Sequence, residues 1–324
     1  MDYQGILKQY WGYDHFRGIQ EDIINSIGSG KDTLGLMPTG GGKSVTFQVP
    51  ALAQPGLCLV ITPLIALMKD QVRNLRDRDI KAVAIYSGMT REEIVIALEN
   101  CIFGDYKFLY ISPERLDSEI FQIKLRSMKV CMITVDESHC ISQWGHDFRP
   151  EYTQLKVLRQ QFPNVPIVAL TATADKITRQ DIVQQLAMRN PQVFISSFDR
   201  PNLSLEVKRG YQQKEKIRSI LQFIDRHPGE SGIIYCMSRN TTEKVAEMLE
   251  DHGLHVAVYH AGLSTAARDA AQDDFINDRV QIVCATIAFG MGIDKSNVRW
   301  VIHYNLPKSI ESFYQEIGRA GRDG

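Results

Sequence analysis

The stretch "TLGLMPTGGGKSVTFQVPALA" (residues 33–53) combines a strand pattern, a glycine-rich loop and a helix pattern in that order. Its apolar start at 33–37 predicts a buried strand, and the residues from Lys43 onward predict a helix. The glycines between them let backbone amides approach phosphate oxygens at the N-terminus of that helix. Strand, loop and helix in this register indicate a phosphate-binding loop on an α/β fold.

The loop predicts how the phosphates of ATP and an accompanying Mg²⁺ are held. Lys43 would neutralise charge on the β- and γ-phosphates, and Ser44 would coordinate Mg²⁺. The expected nucleotide-binding residues of this loop are Thr39, Gly40, Gly41, Gly42, Lys43 and Ser44. One position departs from the general pattern, because Met37 stands where a glycine is usual. Taken alone, the stretch also fits a glycine-rich turn that happens to precede a lysine.

Short apolar runs alternate with helical stretches after this loop. Six runs predict the strands of one sheet: "TLGLM" (33–37), "LCLVIT" (57–62), "AVAIYS" (82–87), "KFLYIS" (107–112), "VCMITV" (130–135) and "PIVAL" (166–170). Several are apolar on both faces, as expected for a parallel sheet covered by helices. One intervening helix is marked by Thr90 and Glu93, which form a capping-box pattern. The first half of the chain is therefore predicted to be an α/β domain.

This alternation is interrupted at residues 196–213, where the chain becomes polar. It restarts in runs such as "SGIIYC", "HVAVYH" and "QIVCAT", and a last helix is expected from about Ser309. We therefore predict two α/β domains, residues 1–207 and residues 208–324, each with a mostly parallel sheet flanked by helices.

The composition is that of a globular protein. Hydrophobic residues make up 44% of the 324 positions and charged residues 23%, which excludes disordered and fibrous classes. No apolar run reaches the roughly 18 residues of a membrane span, and no export signal begins the chain, so we expect an intracellular protein without a membrane partner. With a net charge of −1, bulk charge gives no support for nucleic-acid binding. The six cysteines lack the spacing of metal sites and are interpreted as reduced core residues.

The stretch "VCMITVDE" (130–137) is an apolar strand that ends in two acids. The carboxyl ends of parallel strands are where α/β sheets bind their ligands. We expect Asp136 to help hold Mg²⁺, partly through water, and Glu137 to orient and deprotonate the water that attacks ATP. A solvated acidic turn is the alternative, which the upstream phosphate loop disfavours.

The end of the chain, "YQEIGRAGRDG" (314–324), places Gln315, Arg319 and Arg322 at spacings of four and three. On a continuous helix these residues share one face. A guanidinium aimed at the γ-phosphate stabilises the charge that spreads over its oxygens. We therefore predict that both arginines are catalytic, that Gln315 binds nucleotide, and that the nucleotide lies between the two domains. A solvated basic helix end is the alternative.

Together these motifs resemble those of superfamily 2 helicases, and within them the RecQ family of DNA helicases, over essentially the whole chain. The matching stretches are "YWGYDHFRGIQ" (10–20), "ITPLIALMKDQV" (61–72), "YISPERL" (110–116), "LTATA" (170–174), "IIYCMSR" (233–239), "YHAGLS" (259–264), "ATIAFGMGIDK" (285–295) and "QEIGRAGRDG" (315–324). The resemblance implies two tandem RecA-like domains. It also accounts for Met37, because the phosphate loop of superfamily 2 often lacks the first glycine. Ser138 replaces the family's commoner alanine, and we expect no loss of chemistry from it.

Further site residues are implied by the resemblance. Gln20 would read the adenine edge, and Arg17 would help to position the nucleotide. The stretch "SQWGHDFRPEY" (142–152) is similar to the aromatic-rich loop with which RecQ helicases bind single-stranded DNA and relay that binding to the ATPase acids. The expected DNA-binding and coupling residues are His139, Trp144, His146, Phe148, Arg149, Ser238, Arg239 and Thr286. From the sequence alone, Trp144 and Phe148 also fit packing in the core.

The function implied by the resemblance is that of an ATP-dependent DNA helicase core. Single-stranded DNA would stimulate ATP hydrolysis with Mg²⁺, and hydrolysis would drive 3′–5′ translocation and duplex unwinding in DNA repair or recombination. The expected partners are single-stranded DNA and junctions of single strand with duplex. We expect a monomer in the bacterial cytoplasm or nucleoid.

RecQ proteins usually continue past the last motif into a four-cysteine zinc module and a winged helix. No cysteine follows Cys284, so we expect no zinc site in this chain and an isolated catalytic core. Two alternatives stay open, namely an RNA-dependent ATPase of the same superfamily and a DNA-binding ATPase core that unwinds poorly without accessory domains. Of the two arginines, the resemblance favours Arg322 as the contact of the γ-phosphate.

Overall fold

The computed structural model describes residues 1–38, 42–145, 147–172, 174–197, 202–286, 289, 295–307 and 310–322, without the side chains of residues 310, 311, 314 and 315. The chain forms two compact units, Met1–Phe198 and Asp199–Gly324. The predicted boundary at residue 207 lies later than this division. The reason is that Leu203 packs against the core of the second unit and Asn202 Nδ2 donates to the carbonyl of Gly321 (2.8 Å).

The first unit is built on a seven-stranded sheet. Its strands are β1 (Thr33–Leu36), β2 (Leu57–Ile61), β3 (Ala82–Ile85), β4 (Phe108–Ile111), β5 (Val130–Val135), β6 (Ile167–Thr171) and β7 (Gln192–Ile195). Its helices are α1 (Tyr3–Trp11), α2 (Gln20–Gly28), α3 (Lys43–Leu52), α4 (Ile65–Asp77), α5 (Arg91–Phe103), α6 (Glu119–Leu125), α7 (Val157–Gln161) and α8 (Lys176–Gln185). The strand order is β3-β4-β2-β5-β6-β1-β7, and the paired strands run parallel.

Six of these strands are the six predicted from apolar runs. They were recognisable because a sheet covered on both faces buries nearly every residue of these strands, including β3 at one edge. The seventh strand, β7, was not predicted, because only alternate residues of it are covered, and Val193 and Ile195 are 46% and 47% exposed. The capping box of Thr90 and Glu93 is present with both hydrogen bonds. The predicted parallel α/β architecture is confirmed.

The second unit contains a four-stranded parallel sheet in the order β11-β8-β10-β9. Its strands are β8 (Ser231–Tyr235), β9 (Val256–Tyr259), β10 (Ile282–Ala285) and β11 (Val298–His303), and its helices are α9 (Gln213–Arg226), α10 (Arg239–Asp251), α11 (Thr265–Ile276) and α12 (Ile310–Ile317). The second α/β unit is therefore confirmed. Helix α9 was not predicted, although Ile217, Ile220 and Ile224 give it a buried stripe at helical spacing.

The cysteines and the apolar helices were also the subject of expectations from composition. Each cysteine is a free thiol, and all are buried except the half-buried Cys131, which agrees with their interpretation as reduced core residues. Among the helices of the described residues, none is long and apolar enough to cross a membrane.

Candidate functional site

The phosphate loop and the acidic pair of the first unit meet because of the strand order. Strands β1, β6 and β5 are neighbours in a parallel sheet, so the residues after their carboxyl ends lie along one edge. Helix α3 begins at Lys43 beyond β1, Asp136 directly follows β5, and Thr171 ends β6. This is the edge at which parallel sheets bind ligands.

Lys43 lies against both acids. Its Nζ is 3.3 Å from Oε1 of Glu137 and 3.6 Å from Oδ1 of Asp136. The three side chains are largely buried, and buried charges are unfavourable unless they are paired. The structure thus brings together the predicted lysine and the two predicted acids, and each charge depends on its neighbours.

The backbone at the acidic pair adopts an uncommon conformation. Glu137 has φ 50° and ψ 43°, in the left-handed region that non-glycine residues rarely adopt. Oδ1 of Asp136 accepts from the Glu137 amide (2.9 Å), and the Asp136 amide donates to the carbonyl of Ile61 (2.9 Å). Such local strain, about 1–3 kcal/mol, is typical of functional sites. With exposures of only 7% and 8%, Asp136 and Glu137 do not form the solvated turn considered as an alternative.

The donor set next to Lys43 fits a hydrated Mg²⁺. Burial raises the pKa of Asp136, the Lys43 ammonium counteracts this, and the Glu137 carboxylate raises it further. A cation against Asp136 therefore favours its ionised form. Oε2 of Glu137 is buried without a hydrogen-bond partner among the described residues, so it can accept from a bound water molecule. Ser44 lies half-buried in the first turn of α3 and offers the hydroxyl oxygen that Mg²⁺ prefers.

Gln20 is buried beside the phosphate loop. Its Oε1 accepts from the Arg17 amide (2.8 Å), and its Nε2 donates to the carbonyl of Gly42 (3.2 Å). Gly42 has φ 74°, and a Cβ there would lie 2.2 Å from Gln20 Nε2, so this position requires glycine. Gln20 thus joins the segment before α2 to the start of α3, whereas the Arg17 side chain is exposed. Three further predicted loop residues lie outside the described residues: Thr39, Gly40 and Gly41.

His139 links the acidic pair to the end of β6. It lies in a short 3-10 helix, Ser138–Ile141, and is completely buried. Its Nδ1 forms a hydrogen bond with Oγ1 of Thr171 (2.7 Å) and is 3.6 Å from Oε2 of Glu137. A completely buried side chain does not contact DNA in this conformation. Within the predicted set of DNA-binding and coupling residues, His139 therefore remains a candidate for coupling.

The aromatic-rich loop presents Trp144 to solvent. Its side chain is 71% exposed, so the alternative that Trp144 packs in the core is wrong. Phe148 and Arg149 are half-buried, and the Arg149 amide donates to the carbonyl of Cys140 (2.9 Å), which returns the loop to its starting point. The exposed indole offers a flat surface of the kind on which bases stack. His146 lies outside the described residues.

Two residues that support the acids were missed by the sequence analysis. The Tyr152 hydroxyl donates to the carbonyl of Asp136 (3.0 Å), and Thr171 holds the histidine that follows the acids. Both lie in stretches that carry the family resemblance, but no local pattern says which atoms they contact. Ser138 donates to the carbonyl of Leu170 (3.0 Å), so the hydroxyl that replaces the family's alanine has a partner.

The predicted DNA-binding residues of the second unit lie at the carboxyl edge of its sheet. Ser238 follows β8 and caps α10, because its Oγ accepts from the Thr241 amide (3.1 Å). Arg239 begins α10 and is exposed. Thr286 follows β10, the neighbour of β8, and its amide donates to the carbonyl of Tyr259 (3.2 Å). These three residues are therefore brought to one edge.

The two arginines near the chain end do not extend the last helix. Helix α12 ends at Ile317, and Arg319 and Arg322 lie in the turns beyond it. The prediction that they share a helical face with Gln315 is therefore wrong. Beyond the helix end, Gly321 has φ 60° and its amide donates to the carbonyl of Val298 (2.7 Å), so the backbone at Arg322 follows a non-helical path. The Gln315 side chain lies outside the described residues.

Arg319 is nevertheless held firmly. It is only 5% exposed, and its guanidinium carbon lies 5.7 Å from the ring centroid of Tyr235, within cation-π range. The alternative of a solvated basic helix end is therefore wrong for Arg319. Arg322 is half-buried.

Known families match both units of the chain. Residues 17–182 match the family model described as DEAD/DEAH box helicase, and residues 215–324 match the helicase conserved C-terminal domain. The chain is 52% identical over 318 residues to the ATP-dependent DNA helicase RecQ of Haemophilus influenzae and 50% identical over 318 residues to that of Pasteurella multocida. Each alignment covers 98% of this chain, but 51% and 50% of the respective relatives. The chain thus spans about half the length of these curated relatives.

A solved structure supports the fold. The chain resembles Saccharomyces cerevisiae Dbp5 bound to RNA and ADP BeF3, with a TM-score of 0.78 and 18% identity, over 98% of this chain and 84% of that one. An identity this low supports the fold alone, which is that of two tandem RecA-like domains. With the motifs, the site geometry and the close sequence relatives, the chain belongs to the RecQ family of superfamily 2 helicases and contains the helicase core.

Proposed function

We propose that the chain is the catalytic core of an ATP-dependent DNA helicase. Single-stranded DNA stimulates ATP hydrolysis, and hydrolysis drives 3′–5′ translocation and duplex unwinding. The observation that carries this proposal is the segment 136–149, which begins with buried acids against Lys43 and continues to a 71% exposed Trp144. One short segment thereby joins a phosphate site to a base-stacking surface.

The nucleotide chemistry follows from the first unit. Lys43 binds the β- and γ-phosphates, and Glu137 orients the attacking water and accepts its proton. Ser44 and Asp136 hold Mg²⁺, partly through water, and the ion supplies positive charge that stabilises the phosphate oxygens. The remaining nucleotide-binding residues in this proposal are Arg17, Gln20, Thr39, Gly40, Gly41 and Gly42.

The second unit contributes to the same reaction in this proposal. Arg319 and Arg322 stabilise charge on the γ-phosphate, with Arg322 as its direct contact, and Gln315 binds nucleotide. The burial of Arg319 against Tyr235 supports a role that needs a fixed side chain. Replacing such an arginine lowers the hydrolysis rate by about 10³- to 10⁵-fold in related systems.

DNA binding in this proposal begins at the aromatic-rich loop. Trp144 stacks on bases at about 1–3 kcal/mol per base irrespective of sequence, which suits a translocating protein. Displacement of the loop acts on Glu137 through His139, which is 3.6 Å from its carboxylate. Further contacts to the strand come from Phe148, His146, Arg149, Ser238, Arg239 and Thr286.

The nature of the polynucleotide is tested by stimulation. Phosphate release is measured with matched single-stranded DNA and RNA oligonucleotides of one length and sequence, with the Lys43→Ala chain as a blank. We expect DNA to stimulate hydrolysis strongly and RNA weakly. Equal or greater stimulation by RNA would identify an RNA-dependent ATPase of the same superfamily and overturn the DNA assignment.

A second candidate function is an ATPase core that binds DNA but unwinds it poorly. A strand-displacement assay on duplexes with either a 3′ or a 5′ overhang decides between the two. Displacement confined to the 3′-overhang substrate is expected for a helicase core, whereas ATP hydrolysis without displacement supports the second candidate.

The cellular setting is part of the same proposal. We infer an intracellular protein that acts on single-stranded DNA and its junctions with duplex during repair or recombination. We further propose a monomer, which sedimentation of the chain with and without a single-stranded oligonucleotide would test. A dimer in both conditions contradicts that part of the proposal.

A further inference from the structure

Three side chains with metal-binding atoms converge behind the aromatic-rich loop. They are His139, Cys140 and Asp147, and their potential ligand atoms all lie within 4.8 Å of one another. The chain runs away from the acidic pair, turns at Gly145, and returns so that the Arg149 amide donates to the carbonyl of Cys140 (2.9 Å). That return brings Asp147 back to the two residues that follow the acids.

The two spacings from the cysteine sulfur are close to those around a tetrahedral zinc ion. Sγ of Cys140 is 3.7 Å from Nε2 of His139 and 3.8 Å from Oδ2 of Asp147. Usual bonds of about 2.0–2.3 Å from zinc to nitrogen, sulfur and oxygen place tetrahedral ligands about 3.3–3.7 Å apart. Because all three atoms lie within 4.8 Å of one another, rotation of the partly exposed Asp147 side chain would be enough to close them around one ion.

The histidine is oriented as a metal ligand would be. Its Nδ1 is engaged by Oγ1 of Thr171 (2.7 Å) and lies 3.6 Å from Oε2 of Glu137, so Nε2 is the nitrogen that faces Cys140. Metal-binding histidines typically have an oxygen acceptor, such as a carboxylate, on the nitrogen opposite the ion, and the Thr171 hydroxyl and the Glu137 carboxylate lie on that side here.

Charge and access also suit a divalent ion with a preference for sulfur. A thiolate, a carboxylate and a neutral imidazole balance a charge of +2, and the thiol proton passes to solvent when the ion binds. The ion takes the place of Arg149 Nε, which lies 3.5 Å from the same Oδ2 of Asp147. A thiolate ligand favours zinc over Mg²⁺. His139 and Cys140 are completely buried, whereas the Asp147 side chain is 34% exposed, so the ion enters from the side of the aspartate.

We propose that His139, Cys140 and Asp147 form a three-ligand zinc site, with solvent in the fourth position, that fastens the aromatic-rich loop to the residues behind the acidic pair. The sequence predicts no zinc site, because no cysteine follows Cys284 and the family's four-cysteine module needs cysteines there. That expectation concerned the four-cysteine module, whereas these ligands are assembled by the return of the loop.

A regulatory consequence follows, and it rests on the proposed helicase function. Trp144 lies between Cys140 and Asp147 in the chain. An ion bound to both of these residues therefore links the two ends of the segment that carries the tryptophan. The same ion fixes His139, which is 3.6 Å from the Glu137 carboxylate. Zinc binding therefore restrains the segment that relays DNA binding to the acids, and it lowers the stimulation of ATP hydrolysis by DNA.

The site itself is tested with Co²⁺, which absorbs visible light when bound tetrahedrally and shows thiolate-to-metal charge transfer when sulfur is a ligand. Metal-stripped 324-residue chain is titrated with Co²⁺ alone. We expect both absorption features with one ion per chain, followed by their loss when Zn²⁺ displaces Co²⁺. Cys140→Ser should lose the charge-transfer band, whereas Cys131→Ser, a change of a half-buried thiol in the same unit, should retain it.

Asp147→Asn provides a second variant, because it keeps the thiol and changes a partly exposed side chain. Loss of a residue that only supports a metal ligand typically weakens metal binding by about 10- to 100-fold. Because Asp147 is proposed to bind the ion directly, Asp147→Asn should weaken Co²⁺ binding by at least that factor. Thermal unfolding confirms that each variant is folded. Absence of charge transfer in the unmodified chain, or an equal band in folded Cys140→Ser, overturns the site whatever the chain does to DNA.

The regulatory consequence has its own measurement. The ratio of DNA-stimulated to basal ATP hydrolysis is compared with and without Zn²⁺ in the unmodified chain and in Cys140→Ser, at constant Mg²⁺. We expect Zn²⁺ to lower the ratio only when Cys140 is present. An equal fall in both proteins contradicts control through this site, and a ratio of one without Zn²⁺ contradicts the proposed function instead.

Discussion

The two ends of the segment 136–149 differ sharply in their environment. Asp136 and Glu137 are 7% and 8% exposed and are held by hydrogen bonds and by Lys43, whereas Trp144 is 71% exposed. Buried charges retain one geometry because each loses solvation that only its partners replace. An exposed aromatic side chain has no such constraint and is available to a ligand. The difference shows that the buried end, with its fixed geometry, is suited to catalysis. The exposed end is suited to a contact that forms and breaks.

The connection between the two ends is also asymmetric. His139 and Cys140 lie between them and are completely buried, so movement of the exposed end has to pass through packed side chains. Packed interiors transmit displacement because they leave little free volume. Changes at the buried end should therefore abolish ATP hydrolysis. Changes at the exposed end should reduce the stimulation of ATP hydrolysis by DNA.

Removal of the lysine at the buried end should have the largest effect. Lys43→Ala deletes the cation that lies 3.3 Å from Glu137 and that is proposed to bind the phosphates. We expect ATP hydrolysis, measured as phosphate release, to fall below detection with and without DNA. The exposed Lys31→Ala is the matched control and should hydrolyse normally. Clear hydrolysis by the Lys43 variant would contradict the assignment of the phosphate site.

Neutralising the acid that is proposed to activate water comes next. Glu137→Gln retains shape but removes the base, and the loss of general base catalysis lowers rates by about 10²- to 10⁴-fold. We expect that loss in hydrolysis while a fluorescent ATP analogue still binds. If binding and hydrolysis decrease together, Glu137 serves to shape the pocket rather than to deprotonate water.

At the exposed end, Trp144→Ala should act on the response to DNA. Loss of stacking worth about 1–3 kcal/mol raises the DNA concentration for half-maximal stimulation by about 5- to 150-fold. The ratio of stimulated to basal hydrolysis should fall towards one. Phe103→Ala removes another exposed aromatic side chain, 79% exposed on α5, and should leave the ratio unchanged. An unchanged ratio in the Trp144 variant would contradict the proposed coupling between DNA binding and ATP hydrolysis.

The smallest effect is expected for the hydroxyl beneath the acids. Tyr152→Phe removes the hydrogen bond to the Asp136 carbonyl (3.0 Å), and one such bond contributes about 0.5–1.5 kcal/mol to the free energy of unfolding. Denaturant unfolding should show this loss, with hydrolysis reduced less than in Glu137→Gln. Tyr13→Phe, at a 56% exposed side chain, is the control and should not change stability. A stability equal to that of the unmodified chain would show that water replaces the hydroxyl.

Much of the fold was predictable because its signals are local. Inner strands of a covered parallel sheet are apolar throughout, and a capping box needs only Thr90 and Glu93 in register. Edge strand β7 escaped prediction because half of its residues face outward. The shared helical face of Gln315, Arg319 and Arg322 was predicted wrongly, because a spacing rule assumes a continuous helix, whereas α12 ends at Ile317.

The sequence by itself determined which groups are available: a phosphate loop, two acids after a strand, an aromatic loop and two terminal arginines. Each is a short pattern whose chemistry depends on residue type and immediate neighbours. Only the tertiary structure decided that Trp144 is exposed, that His139 is buried against Thr171, and that Asp147 returns to Cys140. These facts arise from the packing of segments distant in sequence. The burial and the long-range contacts of a residue are set jointly by all the elements that surround it.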